Sequence, residues 1–143
     1  MDDSVTQLFR DYEALTARGL RGDVDADAFA AFFAPEFIGA SPQGVRGDKN
    51  DAAMREAMAE EFVHHRKVGA KAMRIEAIRV LPLDAAHCVA SVDWIASYGR
   101  KAGSDAQIRF TVHYFVQRTA DGPRIFGWVS GDEQAALKEQ GIL

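Results

Sequence analysis

From about Ala70 to Ser130 the chain is broken by only three strong turn signals: Pro82-Leu83-Asp84, Gly99-Arg100-Lys101-Ala102-Gly103 and Asp121-Gly122-Pro123. The segments between them run to about 10 to 13 residues, against roughly five or six for a typical strand. Strands of that length must twist, and a sheet built from them curls around whatever covers its inner face. The expected fold is α+β: a curved antiparallel sheet, closed by helices into a cone with a hollow inside it.

The strands carry a facial code. In the segment from Cys88 to Tyr98 the even positions are Cys, Ala, Val, Trp, Ala and Tyr, whereas the odd ones include Ser91, Asp93 and Ser97. From Ile108 to Gln117 the even positions are Ile, Phe, Val, Tyr and Val, and the odd ones are Arg109, Thr111, His113, Phe115 and Gln117. Period-two alternation places each set on its own face, and the even set is expected on the concave, buried side. A hairpin centred on Gly103 would set Trp94 opposite Val112, Val92 opposite Tyr114 and Asp93 opposite His113. The stretch 70–81 alternates poorly, and the pattern does not assign its faces.

Helices come before the strands. Ser4-Val5-Thr6-Gln7 has the form of a capping box, and Val5, Leu8, Phe9, Tyr12 and Leu15 follow on one helical face. Gly19 and Gly22 are expected to end that helix. A short second helix, Asp25 to Phe33, presents Phe29, Phe32 and Phe33 and stops at Pro35. A short strand over 36–40 and a turn at Ser41-Pro42-Gln43-Gly44 come next. Asp48 or Asn50 then caps a third helix to about Lys67, with Met54, Ala57, Met58, Phe62 and His65 on its apolar stripe and Glu61 interrupting it.

Composition narrows the functional classes. The 143 residues suit one domain with an adequate core, 1–143. A net charge of −4 argues against nucleic acid, because phosphate binding requires a face rich in Lys and Arg. Cys88, the single cysteine, cannot form an internal disulfide and fits a reducing cytosol. The N-terminal residues lack the form of a signal peptide, and no stretch approaches the length of a membrane span, so a cytoplasmic protein with no membrane partner is expected. Gly39, Gly44 and Gly47 fit no phosphate or dinucleotide fingerprint, so no cofactor is expected. His64 and His65 point about 100° apart on a helix and make no metal site.

The order of helix, short helix, short strand, capped helix and long meander resembles the nuclear transport factor 2-like (NTF2-like) superfamily. Within it the chain is similar to bacterial relatives of polyketide cyclases and ketosteroid isomerases, which share a cystatin-like cone. The local marks are Tyr12, the run Phe32-Phe33-Ala34-Pro35-Glu36-Phe37, Gly47 and the strand from Ile108 to Val116. The resemblance implies a small hydrophobic or aromatic ligand in the cone and a cofactor-free isomerase, cyclase or dehydratase. Its alternative is a non-catalytic ligand-binding or protein-interaction dimer module. The fold hosts all of these and by itself transfers no activity.

In ketosteroid isomerases an Asp base works with a Tyr and a protonated Asp as donors. By resemblance Tyr12 matches the donor tyrosine, but the base position holds Ala40 and Ser41 and the second donor position holds Val112. Isomerase carboxylates are thus unmatched, and Tyr12 reads as a pocket-lining ring. Asp93 and His113 form a candidate acid–base pair that alternation nevertheless assigns to the polar face, as a cross-strand contact. Glu61 and His65, one turn apart, form a second candidate pair.

Tyr12, Phe33, Phe62, Trp94, Phe110, Val112 and Tyr114 are expected to line a mostly apolar pocket. With Asp121-Gly122 as a two-residue turn, Trp128 would face Phe115 on the outer side. Ile95, Phe115, Phe126 and Trp128 would then form an apolar patch through which a homodimer assembles. A one-residue change of register would instead turn Trp128 inward.

Overall fold

The computed structural model describes residues 2–100 and 103–142; the part of the expected turn at 101–102 lies outside them. The helices are α1 (Asp2–Leu20), α2 (Ala26–Ala30), α3 (Ala52–Lys67) and α4 (Glu133–Glu139). The strands are β1 (Phe33–Ser41), β2 (Gly44–Lys49), β3 (Ala70–Pro82), β4 (His87–Tyr98), β5 (Ala106–Thr119) and β6 (Gly122–Val129). One curved, unclosed six-stranded sheet has the order β2-β1-β6-β5-β4-β3, antiparallel except where β1 runs parallel to β6.

The concave face is the even face of β4 and β5. Cys88, Ala90, Val92, Trp94, Val112, Tyr114 and Val116 are buried there against Val5, Leu8 and Phe9 of α1. The seat of α1 is set by its side-chain spacing, which keeps Val5, Leu8, Phe9 and Tyr12 on one stripe. Burying each large apolar side chain stabilises the fold by about 1.5–3 kcal/mol. Glu13, on the same helix, accepts a hydrogen bond from the backbone N–H of Ile75 on β3, one of the two edge strands. No helix among the described residues is long and apolar enough to cross a membrane.

Several boundaries differ from the sequence reading. Helix α1 starts at Asp2, so Ser4 lies inside its first turn rather than at the cap. Gly19 is within the helix, where the Phe62 ring packs so closely that a Cβ would lie 2.6 Å from it; Gly22, with φ of 96°, marks the turn beyond the helix. Helix α2 is shorter than expected, since Phe33 already pairs with Ile125 as the first residue of β1. Strand β2 was not anticipated: most of it is exposed and carries no alternation to read. The N-cap of α3 is Asp51, which accepts from Met54 N–H at 3.0 Å. Asn50 instead ties the α2–β1 joint, its Nδ2 donating to Ala30 O at 2.8 Å and Phe33 O at 3.2 Å. Helix α4 was likewise unforeseen.

Three differences concern register. The β4–β5 pairing is displaced by two residues, with Trp94 opposite Phe110, Val92 opposite Val112, Ser91 opposite His113 and Asp93 opposite Thr111. An even displacement leaves every side chain on its expected face. Strand β3 pairs with β4 through a shift between Ile75 and Ala77, which puts Glu76 out of step and explains its poor alternation. Strand β6 shifts against β5 between Phe115 and Val116, so that Gly127 faces Phe115 and Trp128 pairs with Tyr114.

That last shift turns Trp128 inward, contrary to the outer patch expected from the sequence. Its indole stacks on Phe37 at 5.5 Å and meets Phe33 at 5.8 Å. Ile95, a second member of that patch, is only 6% exposed. It pairs with Arg109 in the ladder, and Arg109 reaches across β4 to Glu76 at 3.5 Å. Phe115 and Phe126 do share the outer face, 6.0 Å apart.

The indole lies across Gly39 of β1, where a Cβ would stand 2.8 Å from Trp128 Cζ2 and 2.9 Å from Cε2. Gly39→Ala should therefore displace a ring wedged between two phenylalanines, at a cost of about 1–3 kcal/mol. Urea unfolding followed by tryptophan fluorescence measures it. Stability at or above that of the parent would show that the indole does not need this space.

Candidate functional site

The narrow end of the cone is filled. Tyr12 packs against Phe29 at 5.4 Å, Phe32 at 5.5 Å and Trp94 at 5.9 Å, and Phe9 meets Tyr114 at 4.7 Å. Trp94 Nε1 donates to the Tyr114 hydroxyl at 3.2 Å. Burial pushes the Tyr12 phenol up to about 12, with the negative charge of Glu133 adding to it and the Tyr114 hydroxyl opposing it. Burial also raises Tyr114 well above the ordinary phenol value. Both hydroxyls thus stay protonated, and they serve the core as a polar thread through an aromatic layer.

A partly open cavity of about 210 Å³ lies at the wide end. Its sheet wall is Ala96 and Tyr98 of β4 with Ile108 and Phe110 of β5; Met73 of β3 and His65 of α3 form its sides. The segment after β6 closes it with Gly131, Asp132, Glu133, Ala136 and Leu137. Helix α4 is held there because Asp132 caps it, accepting from Ala135 N–H at 3.0 Å, and Leu137 packs on Ala96, Tyr98 and Ile108. Larger but open grooves flank the β1–β2 hairpin, and one of them takes in Ala40, Ser41, Glu61, Trp128 and Ser130.

Three groups at the cavity are shifted from their ordinary titration. His65 is held below the ordinary imidazole value, chiefly by burial and also by His64, while Glu61 opposes the shift. Its Nε2 lies 3.4 Å from Glu61 Oε2. Glu133 is held above the ordinary carboxyl value, first by desolvation and then by the charge of Glu61. The residue still reaches solvent at the rim, so the shift reflects crowding of its carboxyl by the cavity wall. Tyr98 is raised by burial and by Glu133. A base and an acid whose environments move them toward neutrality, both facing one apolar hollow, are the ingredients of proton transfer.

The residues singled out from sequence fall in three places. Phe110 and His65 line the cavity, and Glu61 stands behind His65, between the cavity and the open groove. Tyr12, Phe33, Trp94, Val112 and Tyr114 belong to the packed core, and Phe62 joins Leu15, Leu20 and Phe29 under the helices. Asp93 and His113 lie on the outer face and do not pair with each other. Asp93 takes a bidentate contact from Arg79, with Nη2 to Oδ1 at 3.0 Å, and a hydrogen bond from Thr111 at 2.7 Å. Those two partners pull its carboxyl down to about 2. His113 Nδ1 lies 2.7 Å from Ser91 Oγ. Among the described residues no group of three or more His, Cys, Asp or Glu could hold a metal ion.

Glu133 is the residue that sequence reasoning missed. Its only signal was Asp132-Glu133 ahead of Ala135-Ala136-Leu137, a capped helix start that was not read as one.

Solved structures similar to this chain share its fold at low identity. An NTF-2-like protein of unknown function from Shewanella oneidensis MR-1 is 17% identical, with 92% of this chain and 98% of that one covered and a TM-score of 0.68. An NTF2-like protein with a cystatin-like fold from Novosphingobium aromaticivorans is 17% identical over 99% of this chain and 88% of that one, with a TM-score of 0.69. A ketosteroid isomerase-like protein from Erwinia carotovora atroseptica SCRI1043 is 11% identical over 91% of each chain, with a TM-score of 0.58. No curated protein matches the sequence. A family model matches residues 2–133, and the chain thereby belongs to the family described as NTF2-like protein (DUF6841).

Proposed function

We propose that this protein binds a small molecule in the cavity at the wide end of the cone and moves a proton on it without a cofactor, in the manner of an isomerase or lyase. The observation that carries this reading is that His65, shifted down, and Glu133, shifted up, line one mostly apolar hollow that opens at the Glu133 rim. In this reading His65 takes the proton as a neutral imidazole, and the Glu133 carboxylate stabilises the positive charge that develops. The Tyr98 hydroxyl, kept protonated by burial, is a further donor at the rim. An apolar cavity of about 150 Å³ suffices for benzene. The 210 Å³ here therefore suits one ring with a short substituent, or a short chain.

Ala136 on α4 lines the cavity without belonging to the narrow-end core. Ala136→Phe should fill the space while circular dichroism remains that of the folded parent. Single-ring compounds that raise the melting temperature of the parent should lose that effect in the variant. At a ligand concentration of 100 times Kd the lost stabilisation is about 2.7 kcal/mol. Equal shifts in both proteins would place the bound compound elsewhere.

The imidazole offers a test that needs no ligand. Titration of His65 by NMR should give a midpoint below the ordinary histidine value. Because the Glu61 carboxylate opposes that shift, Glu61→Gln should lower the midpoint further, and His64→Ala should raise it. Since the folded value lies below the unfolded one, His65 favours folding above the unfolded value. That contribution is lost as pH falls through the folded one. A midpoint at or above that of a model peptide would remove the base from this reading.

A second reading, a homodimer assembled through the outer sheet face, is favoured by the Phe115–Phe126 contact on that face, with Val129 43% exposed on the same strand as Phe126. Light scattering at high micromolar concentration should give twice the monomer mass, reduced by Phe115→Ser. A monomer in the parent would reject it.

A further inference from the structure

Resting on the reading of the wide-end cavity as a ligand site, we infer that its ligand is a small organic cation, an ammonium carried on a ring or short chain. The charges around the hollow point one way. From α3 come His65 and, behind it, Glu61; from the α4 segment come Asp132 and Glu133; β4 contributes the Tyr98 phenol; the Tyr12 phenol of α1 and the Tyr114 phenol of β5, both protonated, lie within reach of the Glu133 charge; β3 contributes only the uncharged Met73. Arg109 of β5 is the one cation among the lining residues. Its guanidinium is turned to Glu76, at 3.5 Å, over the outer face.

The carboxylates differ in what already occupies them. Asp132 accepts the Ala135 N–H as a helix cap, and Glu61 faces His65. Glu133 has no hydrogen-bond partner among the described residues and feels Glu61 as a like charge. An anionic ligand would add a third negative charge to this pair. A neutral ligand would leave Glu133 to relieve the repulsion by taking up a proton. An ammonium ion beside Glu133 satisfies the carboxylate, screens it from Glu61 and places its apolar part against Phe110, Met73 and Ile108. The rings of Phe110 and Tyr98 add a surface that favours cations over neutral groups of the same shape.

The sign of the pH dependence follows. A cation binds the ionised form of Glu133, so its affinity should rise as pH rises through the Glu133 titration and then level off. Binding below that level is accompanied by proton release. Imidazolium at low pH opposes the same ligand, since it places a positive charge in the wall.

The test uses three probes of one shape, benzylammonium, benzyl alcohol and benzoate, titrated calorimetrically into the full chain at pH 7.5. Ala136→Phe serves as the filled control. Benzylammonium should bind about tenfold or more tightly than benzyl alcohol, a difference of about 1.4 kcal/mol, with benzoate weakest. Glu133→Gln should bring the ammonium-to-alcohol affinity ratio close to one. Benzyl alcohol binding as well as benzylammonium in the parent, with both lost in Ala136→Phe, would overturn this inference and leave the cavity reading intact. A preference for ammonium that survives Glu133→Gln would also overturn it. Binding of no probe, or equal binding in the filled control, would overturn both.

Discussion

The structure depends on one helix lying in the palm of one sheet. A six-stranded sheet that curves but does not close has a concave face too large for its own side chains to cover. Helix α1 covers it with Val5 and Phe9, neither exposed, and brings Phe9 to within 4.7 Å of the Tyr114 ring. Because α1 fills the narrow end, the core there is closely packed and the space that survives lies at the other end, under α4. Close packing and open space are thus divided along the axis of the cone. The aromatic residues that promise a pocket in the sequence mostly serve the filled half.

The same division holds for charge. On the convex face the polar groups are matched: Asp93 with Arg79 and Thr111, His113 with Ser91, and His87 with Asp84 at 2.9 Å. Such contacts hold carboxylates in their ionised form and contribute little each at an exposed surface. At the cavity His65 and Glu133 are crowded by apolar walls, and their proton equilibria move in opposite directions. The perturbed groups lie beside apolar walls, not where an Asp and a His stand closest in the sequence pattern.

How much was legible follows from where the chain is regular. Strands β4 and β5 are flanked on both sides and buried on one face, so alternation reported the concave set and survived an error of two residues in register. Where the ladder shifts, the code fails. Glu76 breaks the pattern of β3, and the shift at Phe126 turns Trp128 from the expected outer patch into the core. Strand β2 has no buried face to impose a pattern, and α4 is too short for periodicity to register. Glu133 was invisible for a related reason: its environment is made by β4, β5 and α3, which approach it only in the fold. The NTF2-like resemblance gave the architecture that places these elements, and it could not name the residue at the mouth.

The hydrogen bond from Ile75 to Glu13 has a consequence for how this protein behaves in a crowded solution. Strand β3 is an edge, and an edge is a template on which another chain's strand can grow. Glu13 occupies a backbone donor at the point where β3 is already out of register, with α1 lying alongside. At the opposite edge β2 offers six residues, mostly exposed, five of them Gly or charged, which is a poor partner for a continuous ladder. With both borders discouraged from further pairing, edge-to-edge growth is disfavoured, and a curved sheet with two open borders remains a finite object.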